Sequence, residues 1–149
     1  MDRISLIELS RKPIKLLENR VWRTYSGGKL IDEWKGVSNP TDSEYPEEWV
    51  ASTVRAKNAG REHIADEGLS KLILEDGSEI TLQEVINFEP KLFLGKKHAK
   101  KYGANPAVLV KILDSAERLS IQVHPDKEFA KKEFNSNFGK TEAWYIVGG

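Results

Sequence analysis

"LSIQVHPDKEFA", residues 119–130, alternates apolar and polar residues as far as His124 and then breaks at Pro125. Side chains on a strand point to alternate faces. The stretch therefore reads as a strand with Leu119, Ile121 and Val123 on one face and Ser120, Gln122 and His124 on the other. A short charged helix over 127–134 and a loop, "NSNFG", lead to a second strand, "KTEAWYIV", residues 140–147, whose alternation puts Lys140, Glu142 and Trp144 on one face. The whole is a strand–helix–strand unit. If its two polar faces turn into the same pocket, the Gln122 carbonyl oxygen, a His124 ring nitrogen and the Glu142 carboxylate become a convergent donor set. Alternate residues on a strand sit roughly 6 to 7 Å apart, so side chains leaning inward can close on one ion. Oxygen and nitrogen donors without sulfur suit catalytic zinc, and also manganese, cobalt or iron. A neutral amide ligand leaves the ion electron-poor and better at polarising a bound oxygen. Taken alone, a Gln-x-His pair more often forms the hydrogen-bonded polar face of a half-exposed strand. A lone Lys140 or Glu142 is more often solvated charge, and a structural domain with an internally satisfied polar face stays open as a reading. The company the residues keep is what points to a metal.

Upstream, "PAVLVKILDSAERL", residues 106–119, follows an Asn105-Pro106 start. Val108, Leu109, Ile112 and Leu113 then make an apolar stripe that predicts a helix over 106–116. Thr81 with Glu84 forms a capping box that opens a helix over 82–88, and Pro90 is expected to stop it. "KLILEDGSEI", residues 71–80, carries apolar residues on both sides of Asp76-Gly77 and predicts a hairpin. Short strands are expected in 13–22 and 47–54, a helix in 29–36, a surface loop over 37–47 and an exposed connection over 55–68.

The chain has 149 residues, the size of one domain. Lys plus Arg and Asp plus Glu number 23 each, so no net field attracts nucleic acid or an anionic membrane. Neither is expected as a partner. There is no cysteine, which excludes disulfides, thiolate metal sites and a cysteine nucleophile and fits a reducing, cytoplasmic setting. The first 17 residues lack the apolar run of a signal peptide, and no later stretch is long and apolar enough for a membrane helix.

"LSIQVHPDKEFA" followed by "GKTEAWYIV" closely resembles the paired signatures of the type I mannose-6-phosphate isomerases, zinc enzymes of the cupin superfamily. The likeness includes the Gln-x-His-Pro-Asp element, the Lys-x-Glu-x-Trp-Tyr element and their order. "NRVW", "GGKL", "EEWVAST" and the "LVKILD" segment agree more loosely, so the resemblance runs over nearly the whole chain. It implies a mainly β fold with helical insertions, a cupin jelly-roll β-sandwich of α+β content that is incomplete here. It implies one zinc ion held by Gln122, His124 and Glu142, and a substrate pocket that includes Ser120 and Lys140. The implied substrate is a small sugar phosphate, and the reaction interconverts mannose 6-phosphate and fructose 6-phosphate by moving a proton between adjacent carbons through an enediol. Lys140 is then the candidate catalytic residue, stabilising charge or relaying a proton, and Ser120 a hydrogen-bond partner of the phosphate. The family takes a fourth zinc ligand, a histidine, and a catalytic arginine from sequence further on, so residues 1–149 are expected to be an N-terminal metal-binding portion or a short relative. His63 and His98 precede the motif and read as surface residues. A cupin module that binds metal and recognises a sugar without turning it over is the alternative. The oligomeric state is not set by the sequence.

Overall fold

The computed structural model describes residues 3–148; Met1, Asp2 and Gly149, the ends of the expected 1–149 portion, lie outside the described residues. The chain forms two compact units, one running to Arg118 and one beginning at Leu119.

In the first unit the order is α1 (Arg3–Ser10), β1 (Arg20–Val21), α2 (Lys29–Lys35), β2 (Glu47–Val50), β3 (Lys71–Ile73), β4 (Glu79–Thr81), α3 (Leu82–Phe88), α4 (Pro90–Leu94), α5 (Lys96–Tyr102) and β5 (Val110–Leu113). Strands β1, β2 and β5 make a three-stranded sheet in that order, and β3 and β4 a two-stranded one. Both are antiparallel, with Arg20 opposite Glu48, Glu47 opposite Leu113 and Leu72 opposite Ile80. The core is small. Leu6 of α1, Leu72 of β3 and Val85 of α3 are buried together, with Leu9, Ile14, Leu16, Leu74, Ile80 and Phe93 packed around them. Each fully buried aliphatic side chain there contributes about 1.5 to 3 kcal/mol.

Local signals hold where they are strong. The capping box at α3 is complete: the Thr81 hydroxyl accepts from the Glu84 N–H at 3.1 Å, and the Thr81 N–H donates to the Glu84 carboxylate at 2.9 Å. The hairpin at Asp76-Gly77 forms as expected, with Gly77 at φ 82°. Pro90 ends α3 and at once opens α4 as its first residue, where its missing N–H costs nothing.

The helix expected over 106–116 is instead strand β5. Asn105 spends its side chain on a turn, accepting the Ala107 N–H at 2.8 Å, and Ala107 takes φ 60°, which no helical turn can contain. Beyond it, Val110 and Ile112 are β-branched and pair with Val50 and Glu48 of β2. Val108, assigned to a buried helix face, is 62% exposed. The strand in 13–22 shrinks to Arg20–Val21, and the loop over 37–47 ends buried, at Pro46 and Glu47.

In the second unit the expected helix over 127–134 is present as α6 (Lys127–Phe134). Asp126 caps it by accepting the Phe129 N–H at 2.7 Å, and Asn135 closes it in the left-handed conformation at φ 50°. The expected strands over 119–124 and 140–147 do not form. A strand exists only through ladder partners, and among the described residues the one backbone bond between these segments runs from the Lys140 N–H to the Pro125 carbonyl at 2.9 Å. The α+β content holds, with small antiparallel sheets, but the described residues carry more helix than strand, so the expected mainly β fold is corrected: the two motif segments that were to be strands find no ladder partners. No helix of the described residues is long and apolar enough to cross a membrane.

Candidate metal centre

The candidate site side chains of the second unit sit on the two segments that flank α6. The chain leaves His124, turns at Pro125-Asp126, runs through α6, and returns by way of Asn135 and Gly139. Ser136 secures the return, its N–H donating to the Ala130 carbonyl at 3.0 Å and its hydroxyl to that of Phe138 at 2.8 Å. Gly139 passes so close to the start of α6 that a Cβ there would lie 2.9 Å from Asp126 C, Lys127 N and Pro125 O. Only glycine fits. The Lys140 N–H then bonds to Pro125, and the residues beyond it lie against those before it.

That return brings four polar side chains together. His124 Nε2 meets Glu142 Oε2, and Lys140 Nζ donates to Gln122 Oε1 at 2.8 Å and lies 3.7 Å from Glu142 Oε2. The pairs Gln122–Lys140 and His124–Glu142 are each 18 residues apart, so the alternation read in the sequence keeps its offset although no ladder forms. Ser120 is exposed and makes none of these contacts. Among the described residues no three His, Cys, Asp or Glu side chains group as a metal site. The donor set here has only His124 and Glu142 of those types, with the Gln122 amide oxygen as the third. A neutral amide oxygen, an imidazole nitrogen and a carboxylate oxygen, already in mutual contact through Lys140 and each other, fit a divalent ion of zinc type. His98 is spent elsewhere: its Nε2 donates to the Asn105 carbonyl at 2.9 Å and its ring lies against Tyr102. His63 is exposed.

The family model described as phosphomannose isomerase type I, catalytic domain, matches residues 14–142. The chain belongs to the type I phosphomannose isomerase family. Ser120, Gln122, His124, Lys140 and Glu142 all lie within the matched span. The chain is 30% identical over 121 residues to the mannose-6-phosphate isomerase of Escherichia coli (strain K12), which covers 78% of this chain and 26% of that one. It is 43% identical over 67 residues to the probable mannose-6-phosphate isomerase GmuF of Bacillus subtilis (strain 168), covering 45% of this chain and 20% of that one. With mannose-6-phosphate isomerase 1 of Arabidopsis thaliana it shares 44% over 68 residues, covering 45% and 16%. The chain thus spans between 16% and 26% of the length of these curated relatives. No solved structure matches it.

Sequence reasoning missed a second polar cluster of this phosphomannose isomerase family chain, in the first unit. Glu47 on β2 is 3% exposed and both its oxygens are fully engaged. Oε1 takes the Tyr25 hydroxyl at 2.6 Å and Arg23 Nε at 3.1 Å; Oε2 takes Trp49 Nε1 at 2.5 Å and Lys111 Nζ at 3.2 Å. Arg23 and Lys111 also lie over the Trp49 ring, 4.9 and 5.0 Å from its centroid. Burial alone pushes the Glu47 carboxyl up, but hydrogen bonds from Arg23, Tyr25 and Trp49 and the Arg23 charge outweigh it and hold the group at about 2. Burial and the bond to Glu47 push the Tyr25 phenol far up. A carboxylate with no free lone pair and so weak a hold on a proton suits anchoring, not base catalysis. The available signal was Glu47 and Trp49 at strand spacing with a lysine in the middle of "LVKILD". Reading that segment as a helix hid the pairing of Trp49 with Lys111.

Proposed function

We propose that this chain is the metal-binding part of a mannose-6-phosphate isomerase that interconverts mannose 6-phosphate and fructose 6-phosphate, with one zinc ion on Gln122, His124 and Glu142. The observation that carries this reading is the convergence of exactly those donors, with Lys140, inside a chain of the type I family. When bound, the ion supplies a Lewis acid that stabilises negative charge on the sugar oxygens. Gln122, His124 and Glu142 hold it, and the neutral amide keeps the site's negative charge low. Lys140 would carry a positive charge beside the reacting carbons, stabilising the negative oxygen that develops when the carbon loses its proton, and its ammonium can hand a proton to that oxygen to give the enediol. Ser120 offers its hydroxyl to a phosphate oxygen. A cupin jelly roll is part of this reading, supported by the α+β content and the small antiparallel sheets. So is a cytoplasmic setting, supported by the absence of cysteine, and a small-molecule partner in place of nucleic acid or membrane, supported by equal numbers of acidic and basic residues.

The test is metal content together with isomerase activity in wild type and His124→Ala. The variant should lose most bound zinc, because the cluster holds no second imidazole. Unchanged metal content would exclude the site. In a protein that carries this chain within a complete isomerase, Lys140→Ala should lower turnover while leaving the metal in place. Metal binding with no isomerisation even there would leave a sugar-recognising metal module as the function.

A further inference from the structure

The ammonium of Lys140 stands where the ion's own contacts would be. It donates to Gln122 Oε1 at 2.8 Å and lies 3.7 Å from Glu142 Oε2, and these are two of the three oxygens and nitrogens that would coordinate the metal. The third, His124 Nε2, is itself in contact with that Glu142 oxygen. An ion drawing on the same two oxygens would have the ammonium as a near neighbour. A lysine ammonium and a divalent cation a few ångströms apart repel.

We propose that Lys140 is a displaceable internal cation: its ammonium competes with the ion at Gln122 and Glu142 and is expelled when the ion enters. The proposal rests on the metal-site reading above and goes beyond it in two ways. Lys140 lowers the affinity for the ion that its neighbours bind. Entry of the ion, in turn, frees the ammonium to face a substrate, so the lysine's contact with substrate is available only in a loaded site. The coupling is reciprocal, since whatever holds Lys140 away from Gln122 must tighten metal binding by the same factor. The flexible four-carbon stem of lysine suits this movement. The Lys140 side chain is half exposed, so it has solvent to move into.

The experiment is a titration of wild type, Lys140→Met and Lys140→Arg with Zn²⁺ against a chromophoric chelator, with reductive methylation at Lys140 followed by mass spectrometry, with and without Zn²⁺. Lys140→Met should bind zinc roughly tenfold more tightly, from removal of a charge-assisted hydrogen bond and of the repulsion. Lys140→Arg keeps the charge and should not tighten binding. Methylation of Lys140 in the wild type should rise severalfold on zinc addition. Equal or weaker zinc binding by Lys140→Met overturns the proposal, as does labelling that zinc leaves unchanged or lowers. Failure of the underlying reading has a different signature: zinc affinity in the wild type no greater than in His124→Ala.

Discussion

At the scale of single residues, Glu47 and Lys140 show opposite uses of charge. Glu47 is held by Arg23, Tyr25, Trp49 and Lys111 so that it stays ionised in a buried place. Its carboxyl sits at about 2 against an ordinary 4.5, so the folded state favours the ionised form. The stabilisation from that shift is fully present above pH 4.5 or so and is lost as the pH falls through about 2. A shift of this size corresponds to something on the order of 3 kcal/mol. Glu47→Gln should therefore lower the unfolding free energy at pH 7 by roughly that amount, and flatten its fall between pH 5 and 2. Urea denaturation at a series of pH values checks both, and an unchanged acid limb in the variant would show that other carboxylates govern it. The position of Glu47 at the start of "EEWVAST" is plain in the sequence, but its burial is not. That depends on β5 bringing Lys111 across from Trp49.

At the scale of elements, the helices whose ends are fixed by their own residues were legible and the rest were not. α3 begins at Thr81 because Thr81 and Glu84 satisfy each other's orphan donors locally. Thr81→Ala should cost about 1 kcal/mol, read as a lower denaturation midpoint at an unchanged slope. The segment 106–116 carried an equally good start signal and became β5, because Asn105 closed a turn on Ala107 and the edge of β2 offered ladder bonds. A helical stripe and a strand alternation overlap in "VLVKIL", and no local residue arbitrates between them. α4 and α5 escaped notice, as did α1: no side chain caps the start of α4 or α5. Their formation rests on what packs against them, as Leu6 of α1 packs on Leu72 and Val85. Gly139 is the element-scale control of the proposed metal site. Gly139→Val forces the 135–139 return off Pro125 and Asp126 and so separates Lys140 and Glu142 from Gln122 and His124. It should weaken zinc binding severely while leaving the unfolding of the first unit in place, as seen by chelator competition beside amide hydrogen exchange in β2 and β5. Wild-type zinc affinity in that variant would mean that the close approach is not what assembles the donors.

At the scale of the whole molecule, the second unit shows its apolar side chains to solvent. Ile121 is 89% exposed, Val123 94%, Tyr145 89% and Val147 85%. Apolar rows of that extent on one short stretch promote association. The chain should therefore self-associate at micromolar concentration, and Val123→Ser with Val147→Ser should reduce this, as measured by light scattering or sedimentation. Monodisperse wild-type chain at high concentration would contradict it. What the sequence by itself determined is the part written in short-range chemistry. The capping box of α3 and the Asp76-Gly77 hairpin each need only neighbours a few residues away, and strand-like alternation by itself sets Gln122 with His124 and Lys140 with Glu142, two residues apart. Tertiary structure alone decided that 110–113 is a strand, that Glu47 is buried and saturated, and that Lys140 bonds to Gln122. Those outcomes depend on partners far along the chain, and pattern within a single segment does not carry them.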